Sequence, residues 1–180
     1  MLEKKNYEVN KNIYPGPGVI NGQGCGEVSK MRYGLFPMSY NGCEMIAIYN
    51  LMFLEGFGEQ NLAEICLEMY PKSGVLWGIF GSDTFRLHKY FDVRGIETER
   101  FLKRDKFFDR LLTSKYGMIT FWNAKNPFKG IHTVCVEKTD SGIKVYNRYN
   151  SKDYPYEYKT VAEVVDKSRF ICGYTIKGKR

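Results

Sequence analysis

Residues 39–56 read SYNGCEMIAIYNLMFLEG, a polar loop that becomes an apolar segment at Cys43. The segment from Cys43 to Leu54 contains no glycine or proline, and Gly56 follows it as a helix-ending residue. These signals predict a helix that begins on a thiol. The first turn of a helix offers a positive dipole and unpaired N–H groups, which favour a thiolate and can bind an oxyanion. Cys43 is therefore a candidate nucleophile, although a lone cysteine also suits a core as a small apolar residue.

The whole composition is that of a globular protein. Of 180 residues, 43% are hydrophobic and 16% aromatic, which predicts a single domain over residues 1–180 with a substantial core. The N-terminus has no apolar run, and no segment approaches the about 18 apolar residues of a membrane span. We therefore expect a cytoplasmic protein without a membrane span.

The net charge of +7 is dispersed, apart from short clusters at 103–106 and 177–180. A dispersed charge favours a solvated surface over a nucleic-acid site.

The five cysteines do not form a recognisable framework. They are odd in number, widely spaced and free of CxxC pairs, which argues against disulfides and against a zinc site. No metal or other cofactor is expected. Cys66 and Cys135 lie within apolar patterns and Cys172 lies in a predicted strand, so these three are expected to be core thiols.

The first half of the chain is predicted to be mainly helical. Residues 1–30, rich in Gly, Pro and Asn, indicate an irregular N-terminal arm. Apolar residues recur at helical spacing over 62–69, and Pro71 is expected to end that helix. A third helix is predicted over 82–91, capped by Ser82 or Asp83, and a fourth around 108–112.

Beyond Tyr116 the pattern changes to alternation and to β-forming residues. Strands are predicted at 118–122, 131–138, 143–149 and 169–176, with a helix at 160–167. Helices followed by an antiparallel sheet indicate an α+β domain.

The chain has two histidines as candidate bases. His88 lies in the predicted third helix, within FRLHKYF, where packing and surface roles explain it. His132 begins a predicted strand directly after the loop NAKNPFKG, a position from which a side chain can project into a cleft. His132 is therefore the better candidate.

The next strand supplies a candidate partner for His132. The sequence TDSG predicts a tight turn, and matching the apolar faces of the two strands pairs Val136 with Val145. In this register Asn147 lies diagonal to His132 on one face, about 7–8 Å away between Cα atoms. A side-chain hydrogen bond spans that distance, so Asn147 is predicted to orient the imidazole. Asn150 falls on the opposite face unless a bulge shifts the register.

A cysteine that starts a helix, a histidine on a strand and an asparagine on the next strand follow the chain order of papain-like cysteine peptidases. The spacing of 89 positions from Cys43 to His132, and of 15 from His132 to Asn147, most resembles the bacteriocin-leader peptidases, which cut after a double-glycine leader. The resemblance spans about residues 36–150. It implies a papain-like fold, with the helix of Cys43 packed on the C-terminal antiparallel sheet. It also implies a catalytic triad that acts on a peptide or protein substrate.

Two positions depart from that family. Its members carry a glutamine six residues before the nucleophile and usually an aspartate directly before it, and this chain has Pro37 and Gly42 there. An oxyanion hole would then combine the Cys43 N–H with another donor. The Asn41 side chain is the nearest candidate and Gln23 a remote one.

A second cysteine imitates a papain signature. The stretch QGCG at 23–26 copies the start of QGxCGxCW. However, Val28 stands where that nucleophile would be, and no apolar helix follows Cys25. Cys43 therefore remains the preferred nucleophile.

The predicted function is that of a thiol-dependent hydrolase, most simply a cysteine peptidase. The same constellation serves amidases and acyltransferases, and the missing glutamine leaves a catalytically degenerate peptide-binding module as an alternative. Aromatic residues and glycines in GVLWGIFGSD (74–83) and ITFWNAKNPF (119–128) would suit an extended apolar or glycine-containing peptide.

Overall fold

The computed structural model describes residues 1–76, 81–124 and 130–179. Its centre is a six-stranded antiparallel sheet of order β3-β8-β4-β5-β6-β7, and β1 and β2 pair separately. The strands are β1 (Arg32–Tyr33), β2 (Phe36–Pro37), β3 (Ile96–Phe101), β4 (Tyr116–Trp122), β5 (Ile131–Thr139), β6 (Gly142–Tyr146), β7 (Tyr156–Tyr158) and β8 (Phe170–Lys179). The helices are α1 (Leu2–Asn10), α2 (Met38–Asn41), α3 (Cys43–Leu54), α4 (Leu62–Ser73), α5 (His88–Asp92), α6 (Arg104–Ser114) and α7 (Val161–Val164), with 3-10 turns at Glu27–Lys30 and Thr84–Arg86.

Helices cover both faces of the sheet. Helix α3 packs with Met118, Cys135 and Tyr174 on one face, and α6 packs with Phe121 and Val134 on the other. Successive residues of a strand point to opposite faces, so neighbouring residues of β4 and β5 belong to different cores. The helix that begins at Cys43 thus packs on an antiparallel sheet in an α+β fold, as predicted. Within the three described ranges, no helix has the length and apolarity of a membrane span.

Helix α3 has the bounds predicted from the sequence, Cys43–Leu54. All of its residues from Cys43 to Met52 are buried, as expected for a helix that is mainly apolar on every side. Glu44 and Asn50 are its buried polar exceptions, and the Asn50 side chain binds the main-chain N–H and C=O of Ile20 at 2.7 and 2.8 Å. These bonds fix the N-terminal segment against α3.

The irregular arm predicted for residues 1–30 is partly wrong, because α1 occupies Leu2–Asn10. Asn6 Nδ2 donates to the carbonyl oxygen of Gly34 at 2.8 Å. Asn10 binds both the N–H and the C=O of Arg32, each at 2.8 Å. Contacts so distant along the chain hold the helix in place and leave no local signal in its sequence. Residues 11–26 contain turns but no helix or strand.

Pro71 lies inside α4, whereas the sequence predicted that it would end the helix. The helix continues to Ser73 because the Gly74 N–H donates to the Tyr70 carbonyl at 2.9 Å. The Ser73 hydroxyl also donates to the Met69 carbonyl at 2.9 Å. The proline removes one N–H donor, and the surrounding bonds are sufficient to carry the helix past it.

Two other predicted helices are shorter in the structure. The helix expected over 82–91 is a 3-10 turn followed by α5, and Asp83 caps the turn by accepting the Phe85 N–H at 2.9 Å. The helix expected over 160–167 is the single turn α7. Short elements of this kind depend on packing more than on periodicity.

The β5–β6 hairpin has the predicted register, with Val136 opposite Val145. The second strand was predicted to reach residue 149, but it ends before Asn147, whose φ of 58° is left-handed. This turn of the backbone decides how Asn147 meets His132. The edge strands β3 and β7 were not predicted.

Candidate functional site

A tight junction between α2 and α3 places Cys43. A Cβ atom at Gly42 would lie 1.9 Å from Met38 Sδ and 2.8 Å from the Met38 carbonyl oxygen. Only glycine therefore lets the two helices approach so closely. Gly42, at the position where bacteriocin-leader peptidases usually carry aspartate, is thus the residue that sets Cys43 at the start of α3.

The Cys43 thiol is enclosed, with 5% of the residue exposed. Its S–H donates to Glu44 Oε2 at 3.2 Å. The main-chain N–H of Thr133, the residue after His132, acts on the sulfur and lowers the pKa of the thiol. The thiol therefore lies between a carboxyl group and the beginning of β5.

This environment opposes ionisation of Cys43. Burial raises the pKa of the thiol well above its usual value, the Glu44 carboxylate raises it further, and the Thr133 N–H only partly compensates. The predicted thiolate is wrong for this conformation, because lost hydration outweighs the helix dipole. Cys43 is therefore a neutral thiol at neutral pH.

His132 is held by the main chain of Asn147. Its Nε2 lies 2.7 Å from the Asn147 carbonyl oxygen. A carbonyl only accepts hydrogen bonds, so Nε2 carries the proton and the tautomer is fixed. Burial lowers the pKa of His132 to about 4, although the bond to Asn147 opposes this shift. At neutral pH the ring is neutral, and Nδ1 retains a lone pair that can take a proton.

His132 is the second residue of β5, and Cys43 lies near the next residue, Thr133. The thiol and the imidazole nevertheless lie on opposite faces of the sheet. His132 pairs with Phe121 across β4 and β5, and their ring centroids are 5.9 Å apart at 86°. These rings share a face with Val134, whereas α3 packs on the face of Thr133. In the part of the chain that the structure describes, no hydrogen bond joins Cys43 Sγ to the imidazole. The thiol proton is directed to Glu44 instead.

The Asn147 side chain does not bind His132, so that part of the prediction is wrong. Its Oδ1 accepts the Gln23 N–H, and its Nδ2 donates to Gln23 Oε1, both at 3.0 Å. The left-handed backbone at Asn147 directs the carbonyl to the imidazole and the side chain towards the N-terminal segment. Asn147 therefore contacts His132, but through its main chain.

Gln23 lies in the site, although the sequence suggested a remote position. It is 4% exposed, and its Nε2 donates to the Ser39 carbonyl at 3.0 Å. Together with its bonds to Asn147, this contact joins the chain before Cys43 to the chain after His132. The QGCG stretch was the only local signal of this role.

Gln23→Ala is expected to lower the free energy of unfolding by about 2 kcal/mol, because it leaves the buried Asn147 Nδ2 and the partly buried Ser39 carbonyl without the Gln23 side chain as partner. Denaturant unfolding with an unchanged m value measures the loss. Gln60→Ala is a matched control, since Gln60 also bonds main-chain carbonyls but is only partly buried. Equal losses in the two variants would contradict the assigned role.

The other candidates have separate environments. His88 lies in α5, where its Nε2 is 3.7 Å from Asp92 Oδ2. Cys25 is partly exposed, and its thiol lies 3.7 Å from the Asn150 carbonyl, which also accepts the Gly24 N–H at 2.9 Å. Thus Asn150 is engaged by the N-terminal segment through its main chain.

The remaining thiols are buried, which confirms the expectation that Cys66, Cys135 and Cys172 are core residues. Burial raises the pKa of each of them. Within the described residues, no group of three His, Cys, Asp or Glu side chains is arranged to hold a metal ion.

Glu44 was not predicted as a site residue. It is 1% exposed, and its carboxyl group accepts the hydrogen bond of the Cys43 thiol. Burial raises the pKa of Glu44 to about 7, although the main-chain N–H of Ser82 opposes the shift. The available signal was its charge, because Glu44 is the one acid in a mainly apolar helix and buried acids are rare.

Asn41, the predicted oxyanion donor, is buried at the end of α2, two positions before Cys43. Its assignment remains a prediction. The aromatic segments expected to line a peptide cleft lie in part at 77–80 and 125–129, outside the described residues.

Comparison with known proteins identifies the fold. No family model and no curated protein matches the sequence. Among solved structures, the chain is similar to the peptidase domain of Streptococcus ComA, described as a bi-functional ABC transporter involved in a quorum-sensing pathway. The TM-score is 0.55 at 12% identity, over 83% of this chain and 100% of that domain. This similarity confirms the papain-like α+β fold.

Proposed function

We propose that the protein is a thiol-dependent hydrolase, most simply a cysteine peptidase, with Cys43 as nucleophile and His132 as general acid and base. One observation carries the proposal. In a fold shared with a peptidase domain, a buried thiol begins a helix, and the main-chain N–H of Thr133, next to His132, acts on its sulfur, while His132 is bound to Asn147. The thiol and the bound imidazole thus belong to neighbouring positions along β5, on opposite faces of the strand, and this neighbourhood supports the proposal.

The chemistry follows from the atoms available. Cys43 Sγ attacks the carbonyl carbon of a peptide bond, and the amine leaves with a proton to give a thioester. Water then hydrolyses the thioester, and His132 Nδ1 takes a proton from that water. The Asn147 carbonyl keeps the Nε2 proton in place and stabilises the imidazolium that forms.

Asn41 and the main-chain N–H of Cys43 are proposed to stabilise the oxyanion. Burial of Asn41 close in sequence to the nucleophile supports this role, because donors in a water-poor site act strongly on developing charge. Gln23 is a positioning residue in this scheme, since its amide group binds Ser39 and Asn147.

The test is to present the wild-type protein with three substrate classes: short peptides with Gly-Gly before the scissile bond, glutamine amides and simple thioesters. We expect an acyl adduct on Cys43, detected by intact-mass and peptide mass spectrometry, and steady product release. The class that turns over fastest separates peptidase from amidase or acyltransferase. Absence of any acyl adduct would contradict the proposed activity.

A second candidate is a catalytically degenerate peptide-binding module. The enclosed neutral thiol and the missing hydrogen bond to His132 favour it. Such a module would bind a peptide with the same affinity in wild type and Cys43→Ala, and neither protein would release product. Calorimetric titration with the same peptides distinguishes this outcome from catalysis.

A further inference from the structure

Glu44 is the group that contacts the reacting hydrogen. Its Oε2 lies 3.2 Å from Cys43 Sγ and accepts the thiol proton's hydrogen bond. The main-chain N–H of Ser82, before the Thr84–Arg86 turn, acts on the same carboxyl group and lowers its pKa, although burial raises that pKa by more. With 1% of the residue exposed, water does not compete for this proton. A carboxylate held against a thiol in this way is placed to take its proton.

The surroundings isolate this pair from other ionisable groups. Tyr33 faces Glu44 from β1, and its hydroxyl lies 2.6 Å from Ser82 Oγ. Burial raises the pKa of Tyr33, so it stays neutral. The main-chain N–H of Thr133 in β5 acts on the sulfur and cannot exchange a proton with it. Among the described residues, Glu44 is the ionisable group that bonds the Cys43 thiol.

We propose that Glu44 is a catalytic residue that takes the Cys43 proton when the sulfur attacks an electrophile. The proposal rests on the proposed role of Cys43 and assigns the first proton transfer to Glu44, leaving His132 for the hydrolytic step. A pKa near that of neutral solution suits a group that both accepts and returns a proton.

The proton and electron balance is simple. The S–H proton moves to Glu44 Oε2, and the sulfur electron pair forms the S–C bond. As the C–N bond breaks, the Glu44 carboxylic acid gives its proton to the departing amine and becomes a carboxylate again. Water and His132 then release the acyl group, and the proton taken by His132 returns to the thiolate.

The test is the pH dependence of alkylation by iodoacetamide, followed at the Cys43 peptide by mass spectrometry in wild type and Glu44→Gln. Above pH about 7, one proton is shared between Sγ and Oε2 in the wild type. The fraction of protein in the thiolate tautomer then stays constant as the pH rises, so the alkylation rate levels off in a shoulder. The rate rises again only at the pH at which the shared proton is lost. Glu44→Gln has no second proton site, so its rate should rise about tenfold per pH unit without a shoulder.

Turnover supplies the second measurement. Glu44→Gln is expected to lose about 100-fold or more in the rate of acylation, in line with removal of a general base. Glu55→Gln is the matched control, because burial also raises the pKa of Glu55 to about 7 and it follows the opposite end of α3. That control should retain both the shoulder and the turnover.

The outcomes separate the two proposals. Loss of the shoulder in Glu44→Gln supports proton transfer to Glu44, even if no substrate is turned over and the peptidase proposal fails. An unchanged profile, or faster acylation in Glu44→Gln, overturns the role of Glu44 while leaving Cys43 as a nucleophile. Should Glu44→Gln fail to fold, the wild-type profile decides, and a simple rise through pH 7 without a shoulder overturns the proposal.

Discussion

Cys43→Ala is expected to abolish the acyl-enzyme and to lower kcat/KM by about 10⁴-fold or more, because no other group replaces the sulfur as nucleophile. The fold should remain, since replacing a thiol by hydrogen removes one small buried atom and costs about 1 kcal/mol. Burst kinetics with a thioester substrate and intact-mass detection of the adduct provide the measurement.

Cys66→Ala is the control for this substitution. Cys66 is also buried, at 4% exposed, and burial also raises the pKa of its thiol, but it lies in α4. It should lose a similar amount of stability and keep its activity. If both variants keep full activity, Cys43 is not the nucleophile. If the adduct maps to Cys25, the papain-like QGCG stretch gains the role.

Acidification from pH 7 to 4 is expected to destabilise the wild type by about 3 kcal/mol more than His132→Gln. Burial lowers the pKa of folded His132 to about 4, whereas an unfolded histidine titrates near pH 6.5. As the pH falls through this window, the unfolded chain binds the proton first, and unfolding becomes more favourable. Glutamine cannot titrate, and its amide can still donate to the Asn147 carbonyl.

Urea unfolding at a series of pH values measures this difference. Glu44 acts in the opposite direction, because burial raises its pKa to about 7 and protonation in the folded state stabilises the fold as the pH falls to about 4.5. That contribution is common to both proteins and cancels in the comparison. Parallel stability curves for wild type and His132→Gln would show that His132 is not buried as a neutral ring.

The elements with strong periodicity were predicted well. Helix α3 and the β5–β6 register follow from apolar patterns that match one structure, so their bounds and pairing could be read locally. The same register brings Asn147 to His132, although through its main chain, whereas the Cys43 thiol lies on the other face of the sheet and bonds Glu44. The assignment of these three residues to one catalytic site stays a prediction.

The atoms that make contact were not predictable in the same way. Asn147 has a left-handed φ of 58°, so its carbonyl oxygen, rather than its side chain, bonds His132. Burial of Cys43 reverses the effect expected from the helix start, and the part of its surroundings that Thr133 of β5 supplies is distant in sequence. Gln23 entered the site through contacts across 124 positions, for which one sequence carries no signal.

The link between Gln23 and Asn147 has a consequence for synthesis of the chain. The two residues are 124 positions apart, and Gln23 also binds Ser39, four residues before Cys43. During translation the N-terminal segment and α3 emerge long before β6, and domains form their distant contacts only when the later strands are available. A nascent chain therefore carries Cys43 without the groups that complete its surroundings. The contacts between Gln23 and Asn147 form only after Asn147 has emerged and closes the connection.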